Sequence, residues 1–196
     1  MMHYNTAREF TLRTHESDLK RIDARNGLME SFDDFFYEYV YVVMASGFRA
    51  KIAARLTPQL VAAADDPQKL RSLFHNERKI QSIEKIYARR KEWKKLRAEL
   101  TDVDSLTNLP YIGEITKYHL ARNIGLLSCA KPDVHLCRWC EQITGKGSEE
   151  DVIRLVDSIA KRTGEKNGTV DFSLWVWLMH NRGEEGECCH GGYAIR

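Results

Sequence analysis

Apolar residues recur at helical spacing along most of this chain, while the alternation of apolar and polar side chains that marks strands is scarce. Glycine or proline residues separate most of the periodic segments. The pattern predicts an all-α fold, and no repeat or low-complexity linker divides residues 1–196 into more than a single unit. The clearest periodic run lies between residues 76 and 100 and contains Ile80, Ile83, Ile86, Tyr87, Trp93 and Leu96.

Caps and chain breakers define where the predicted helices begin and end. Asp33 suits the first turn of a helix, because a negative charge is stabilised at a helix N-terminus. Gly47 ends that helix, and Pro58 and the Asp-Asp-Pro cluster 65–67 are interpreted as further breaks. The Gly- and Cys-rich tail 183–196 is expected to be irregular. The predicted helices span residues 32–46, 48–56, 76–100, 103–108, 114–123, 133–144, 148–162 and 170–181.

The overall charge carries no signature of a nucleic-acid-binding protein. With 43% hydrophobic and 30% charged residues the composition is globular, and the net charge is only +2, so a DNA-binding surface must concentrate positive charge on one face. The basic residues between 78 and 97 fit a solvated helix face, with a DNA-facing stripe as the alternative. Met1–Arg8 has no apolar signal core, and no apolar run is long enough to cross a bilayer. We therefore expect a cytoplasmic protein, in the host cytoplasm if a phage encodes it.

The cysteines predict thiols rather than disulfides or a metal site. Five is an odd number, and a reducing compartment keeps cysteines free. Cys137 and Cys140 lie one helical turn apart and could hold a metal with Cys129 or the tail, but buried thiols on a packed helix are the simpler interpretation. We expect no metal and no cofactor. The full set is Cys129, Cys137, Cys140, Cys188 and Cys189.

The most informative segment is a hairpin between residues 103 and 125. A short helix ends at Leu109, Pro110 prevents its continuation, and Gly113 turns the chain into a new helix. Glycine permits close backbone approach to a ligand, and the new helix directs free N–H groups at any phosphate nearby. Such a hairpin holds a DNA backbone without reading its sequence. The residues expected to contact DNA are Pro110, Tyr111, Ile112, Gly113, Ile115, Thr116 and Lys117.

The hairpin and the segment that follows it together resemble a known protein family. Residues 109–113 (Leu-Pro-Tyr-Ile-Gly) and 131–136 (Lys-Pro-Asp-Val-His-Leu) resemble the hairpin and the aspartate loop of the helix-hairpin-helix, Gly-Pro-Asp (HhH-GPD) superfamily of DNA glycosylases, whose hairpin has the type Leu-Pro-Gly-Val-Gly. Residues 44–52 resemble the family's earlier helix-turn-helix, and residues 173–183 its last core helix. The resemblance covers roughly residues 30–183 and implies a two-lobed helical fold.

The resemblance also implies roles for individual residues. It makes Asp133, in a loop over 129–136, the counterpart of the catalytic aspartate, which stabilises an oxocarbenium-like transition state when the N-glycosidic bond of a flipped base breaks. Asp133 also fits a helix N-cap, and the two roles are compatible. Lys131 would lower the pKa of Asp133 or touch a phosphate, with an exposed loop lysine as the alternative. Phe48 and Arg49 are the candidates for a wedge that fills the gap left by the base.

Two departures from the family pattern limit the predicted chemistry. Bifunctional members carry a nucleophilic lysine two residues after the last hairpin glycine, where this chain has Ile115. Lys117 is expected to point elsewhere, so we predict no β-lyase activity of the usual kind. The four-cysteine iron–sulfur cluster of the endonuclease III branch has no counterpart either. Trp175 and Trp177 are expected in the core rather than as a base-stacking platform.

Three functions remain open at the level of sequence. The first is a monofunctional DNA glycosylase that acts on a modified base in duplex DNA. The second keeps the fold and the flipped base but transfers a free amino acid or amine to an activated 5-hydroxymethyluracil, because residues 118–125 and 131–136 are also similar to a glycosylase-like group associated with phage thymine hypermodification. The third is a noncatalytic DNA-binding module, which Asp133 argues against. A monomer is expected in each case.

Overall fold

The computed structural model describes residues 2–181, and the regular secondary structure in that range is helical, without a strand, which confirms the all-α class. None of the helices in that range combines the length and apolar character needed to span a membrane. The predicted irregular tail 183–196, with Cys188 and Cys189, lies outside the described residues. The helices are α1 Met2–Ala24, α2 Phe32–Ala45, α3 Ala50–Ala62, α4 Pro67–Leu73, α5 Glu77–Ala88, α6 Trp93–Glu99, α7 Thr116–Ile124, α8 Val134–Thr144, α9 Glu149–Thr163 and α10 Asn167–His180.

Two clusters of buried apolar side chains give the molecule the two lobes that the sequence predicted. The first cluster extends from Phe35 to Cys129 and is built by helices α2 to α7. The second joins Tyr4 and Ala7 of α1 to residues 130–174, which include α8 and α9 and much of α10. The chain therefore starts in the second lobe, builds the first, and returns to complete the second.

Helix α1 packs along α10, and the sequence pattern did not predict it. Its buried positions include Ala7 and Thr11, side chains too small or too polar to register as an apolar stripe. The Thr11 hydroxyl donates to the Ala7 carbonyl at 2.8 Å and lies 3.2 Å from the Ser173 carbonyl. A kink at His15 (φ −141°, ψ 36°) further interrupts the periodicity. Tyr4 and Leu19 are large and buried as well, but they lie too far apart along α1 to form an apolar stripe that the sequence pattern would show.

Most helix starts follow their capping signals, but Pro58 does not end a helix as expected. Asp66 caps α4 with Pro67 in its first turn, and Ser148 forms a capping box with Asp151 at the start of α9. Pro58 lies inside α3 on its exposed side, where water can satisfy the carbonyl left without a donor. Burial of the other face of α3, which includes Leu60, stabilises the helix on both sides of the proline.

The single helix expected over 76–100 is interrupted. The chain instead forms α5, a 3-10 turn over Arg89–Glu92, and α6. The interruption lets Trp93 and Arg97 reach back to the loop before α2, where their side chains donate to the backbone carbonyls of residues 28–30 at 2.7–3.0 Å. These bonds satisfy loop carbonyls that have no helical donor. The helical periodicity could not predict them, because they join segments that are distant in sequence.

The packing of α1 gives a direct test of its part in the fold. Leu19 is 1% exposed and Leu12, on the same helix, is 43% exposed. We expect Leu19→Ala to lower the free energy of unfolding by about 2–4 kcal/mol through lost burial and a residual cavity, and Leu12→Ala to change it by no more than about 0.5 kcal/mol. Urea unfolding followed by circular dichroism measures both. Equal losses in the two variants would show that α1 does not pack as described.

Candidate active site

A cavity of about 890 Å³ opens between the two lobes. The first lobe contributes the turn between α2 and α3 and one face of α7, and the second contributes the loop before α8 and one face of α10. Four of the predicted site residues therefore line one space although they lie far apart in sequence. These are Phe48, Arg49, Lys131 and Asp133.

Asp133 is both the N-cap of α8 and part of the cavity wall. One carboxylate oxygen, Oδ1, accepts the backbone N–H groups of His135 at 3.0 Å and Leu136 at 3.2 Å. Within residues 2–181 the other oxygen has no hydrogen bond, so it remains for a ligand in the cavity. The cap fixes the orientation of the carboxylate, and in this orientation its second oxygen is available to a ligand in the cavity.

A buried carboxylate that the sequence analysis missed holds the loop before Asp133. Asp171 on α10 is 1% exposed, accepts the backbone N–H of Lys131 at 2.8 Å, and forms an ion pair with Arg122 of α7. Burial raises the pKa of Asp171 to about 6, although Arg122 and the Lys131 amide favour the charged form. The sequence feature that could have revealed this buried carboxylate is an aspartate between Val170 and Phe172, in a strongly apolar helix.

His119 and Arg122 form the α7 wall of the cavity, one turn apart. His119 is buried, and burial, followed by the charges of Lys131 and Arg122, holds its pKa well below the usual range. The imidazole is therefore neutral at pH 7. Its ring meets Tyr41 edge-on at 5.7 Å. The wall thus presents a fixed guanidinium beside an uncharged ring.

Lys131 is a half-buried cavity residue rather than the exposed loop lysine of the alternative interpretation. Burial lowers the pKa of its ammonium, and the Asp133 and Asp171 charges oppose that shift. Its ammonium forms no ion pair within 4 Å among the described residues. The side chain is thereby available to a group that enters the cavity.

Aromatic side chains on α10 line the cavity, and here Trp175 differs from its expected core position. Trp175 and Phe172 are half-buried in the wall, with their rings stacked at 6.3 Å and 22°. Trp177 packs against the second core cluster, as expected. The two tryptophans lie 200° apart around a helix of 3.6 residues per turn, so only tertiary structure decides which faces the cavity.

The turn between α2 and α3 places Phe48 and Arg49 at the mouth of the cavity. Phe48 is 41% exposed although it is a large apolar residue. Its ring has an edge contact with Phe74 at 5.6 Å and the Lys79 ammonium above it at 4.5 Å. Phe74 and Lys79 therefore contact the Phe48 ring on its protein side, while the exposed part of the ring faces solvent.

The predicted hairpin lies outside the cavity wall and has a strained residue at its tip. Tyr111 takes φ 66° and stands where the family pattern has its first glycine. The Tyr39 hydroxyl donates to the Pro110 carbonyl at 2.6 Å and fixes the turn to α2. The Gly113 N–H, expected to be free, donates to the Thr116 hydroxyl at 2.8 Å.

Lys117 points away from the cavity, as expected, but carries little uncompensated charge. Its ammonium pairs with Asp104 at 2.7 Å and also with Glu114. These hydrogen bonds, Asp104 first, raise the pKa of Lys117 and keep it protonated. Ile115 and Thr116 are half-buried. Backbone groups, rather than this lysine, are left as the means by which the hairpin could hold a phosphate.

Three residues of the basic run are engaged inside the fold or in ion pairs, and the described cysteines form no metal site. Within the basic run, Lys79 is buried, Arg89 pairs with Glu99 at 2.8 Å, and Arg97 pairs with Glu30 at 2.6 Å, so these three are not a free stripe. Between residues 2 and 181 no group of His, Cys, Asp and Glu is arranged to hold a metal. The thiols described there are free, at Cys129, Cys137 and Cys140.

The raised pKa of Asp171 predicts a particular pH dependence of stability. A carboxyl whose pKa is about 4 when unfolded and about 6 when folded contributes stability that is fully present below about pH 4 and lost as the pH rises through about 6. We expect the stability difference between wild type and Asp171→Asn to shrink as the pH rises from 5 to about 7. Urea unfolding at several pH values measures it. A difference that grows with pH would show that Arg122, rather than burial, controls this group.

Similarity to solved structures agrees with this architecture. No protein-family model and no curated protein matches the chain. The 8-oxoguanine glycosylase/lyase of Methanocaldococcus jannaschii, crystallised with a 15mer DNA containing 8-oxoguanine, matches with TM-score 0.67 and 16% identity over 92% of this chain and 98% of that one. The 8-oxoguanine DNA glycosylase of Thermotoga maritima matches with TM-score 0.66 and 21% identity over 89% and 93%. The chain therefore has the helical fold of these two 8-oxoguanine glycosylases, and the all-α class predicted from the sequence is confirmed.

Proposed function

We propose that this protein binds duplex DNA, receives one modified base in the cavity between its lobes, and hydrolyses the N-glycosidic bond of that base with the help of Asp133. The observation that carries the proposal is the position of Asp133, whose carboxylate is held by a helix cap and has one oxygen free in a cavity that also contains the exposed turn of Phe48. Structural neighbours that act on 8-oxoguanine support this function.

The chemistry needs a negative charge beside a developing positive one. As the base leaves, the sugar takes on oxocarbenium character, and a carboxylate already oriented by two amides stabilises it without reorganisation. A water that donates a hydrogen bond to the free Asp133 oxygen then adds to the anomeric carbon and loses a proton, while the released base takes up a proton, so the products are a neutral free base and an abasic sugar. Lys131, whose ammonium has no ion pair among the described residues, supplies positive charge in the cavity, suited to the negative charge that develops on the departing base.

The base must first leave the stack, which costs a few kcal/mol. Phe48 and Arg49 at the cavity mouth fill the gap, while Phe172 and Trp175 offer ring faces to the extruded base. The hairpin residues 110–117 hold the backbone nearby. Helix α7 supports this role because no side chain caps its first turn.

Base release in this proposal uses water and no lysine nucleophile. The usual lysine position is Ile115, and the nearby Lys117 is held protonated by two carboxylates. A protonated amine has no lone pair for attack on a sugar. We therefore propose a monofunctional enzyme.

Replacing Asp133 tests the proposed chemistry directly. Asp133→Asn keeps the N-cap but removes the charge, so we expect normal folding and a loss of base release on the order of 100-fold or more. The matched control is Asp66→Asn, since Asp66 likewise caps a helix by accepting two amides at 3.0 Å but lies outside the cavity. Similar rates for Asp133→Asn and wild type would rule out the assigned role.

The substrate is found by nucleoside mass spectrometry on duplexes that contain 8-oxoguanine, uracil, 5-hydroxymethyluracil or its pyrophosphorylated form, and alkylated purines, with and without free amino acids. A released base, lost in Asp133→Asn, identifies a glycosylase and its substrate. A heavier nucleoside that appears only with an amino acid identifies the transferase instead. Salt-dependent binding without either product identifies a binding module.

Gly113 tests the hairpin. A Cβ at Gly113 would meet nothing within 4 Å, whereas a Cβ at Gly125 (φ +77°) would lie 2.2 Å from the Gly27 carbonyl oxygen. We expect Gly113→Val to melt like wild type but to weaken binding of every duplex on the order of tenfold, because only a docked phosphate backbone needs that space. Gly125→Ala should instead destabilise the protein. Unchanged affinity of a folded Gly113→Val variant at moderate salt would remove the hairpin from the interface.

A further inference from the structure

Lys79 lies between the two segments that the proposed function assigns to DNA. It belongs to α5, in the middle of the first lobe, and is 1% exposed. By its position in the sequence it belongs to the basic residues between 78 and 97, which fit a solvated face or a DNA-facing stripe. Its burial excludes both roles, so its charge serves something inside the protein.

The ammonium of Lys79 caps the end of α2. It donates to the carbonyl of Met44 at 3.2 Å and to that of Ser46 at 2.5 Å. Helix C-terminal carbonyls have no helical donor and carry partial negative charge, which a cation satisfies. The turn that carries Phe48 therefore begins at a point that Lys79 fixes.

The same ammonium is in contact with the rings of both DNA-facing segments. It lies 4.5 Å from the ring centroid of Phe48 and 5.4 Å from that of Tyr111, the strained hairpin residue. Both distances are within the range of a cation–π interaction, which strengthens when the cation is desolvated. Burial lowers the pKa of Lys79 to about 8, so the amine is still mainly protonated at neutral pH.

We propose that Lys79 is a positioning residue that couples the hairpin to the wedge, holding Phe48 in the orientation required to enter the DNA while the hairpin holds the backbone. This inference rests on the proposed function for the wedge role of Phe48 and for the contact of the hairpin with the DNA backbone. It does not depend on which base is recognised or on the reaction at Asp133. Lys79 itself touches no DNA and acts through Phe48 and Tyr111.

The experiment uses a duplex with a tetrahydrofuran abasic analogue in one strand and 2-aminopurine opposite it. Insertion of the wedge into the gap changes 2-aminopurine fluorescence, whatever base the protein normally recognises. The variants are Lys79→Met, Phe48→Leu, the double variant, and Lys69→Met as an exposed lysine control on α4. Lys79→Gln keeps an N–H donor for the two carbonyls without the charge, and it serves if Lys79→Met does not fold.

We expect the fluorescence change at saturation to fall about fivefold in Lys79→Met, with affinity for undamaged duplex within about twofold of wild type, because the lysine orients Phe48 without touching DNA. The double variant should lose no more than Phe48→Leu alone, since two residues that act through one contact are not additive. Lys69→Met should behave like wild type.

Three results would overturn the proposal. The first is a full fluorescence change in a folded Lys79→Met or Lys79→Gln variant. The second is additive loss in the double variant, which would give Lys79 a role independent of Phe48. The third is bound wild type without any fluorescence change, which removes the wedge itself. Failure of base release with an intact fluorescence response would instead overturn the proposed function and leave the coupling in place.

Discussion

The ion pair between Arg122 and Asp171 joins the two lobes at the wall of the cavity. Arg122 belongs to α7 of the first lobe and Asp171 to α10 of the second, and the same carboxylate accepts the Lys131 amide. Removing Asp171 would leave the Arg122 guanidinium buried without its partner, which destabilises the fold. Because one Asp171 carboxylate binds both Arg122 and the Lys131 amide, it sets the separation of the lobes and the course of the loop before Asp133 together.

The two lobes divide the proposed work between them. The turn of Phe48 and Arg49 and the hairpin belong to the first lobe, whereas Lys131, Asp133 and the aromatic wall belong to the second. In the proposed reaction, DNA held by the first lobe would meet a carboxylate carried by the second, so rigidity at the junction of the lobes would decide whether an extruded base reaches Asp133. Cations inside this junction also explain how a chain of net charge +2 can present a positive cavity.

Local signals predicted those parts of the fold that depend on neighbours in the chain. The cap at Asp133, the helix start at Ser148 and the break at Gly47 follow from backbone chemistry within a few residues. The failures share one cause. The α1 helix, the helix that continues through Pro58 and the interruption at Arg89–Glu92 all depend on contacts with distant segments, which outweigh local preference.

By itself the sequence determined the all-α class, most helix starts, the hairpin and the loop of Asp133, because each of these features depends on residues a few positions apart in the chain. Motif order also predicted that Phe48, Arg49, Lys131 and Asp133 serve one site. Tertiary structure alone decided that Asp171 holds the loop before Asp133, that Trp175 faces the cavity, and that Lys79 is buried beside the rings of Phe48 and Tyr111. The reason is physical: burial and ion pairing are properties of the space that distant helices enclose, and a residue's chain neighbours do not specify that space.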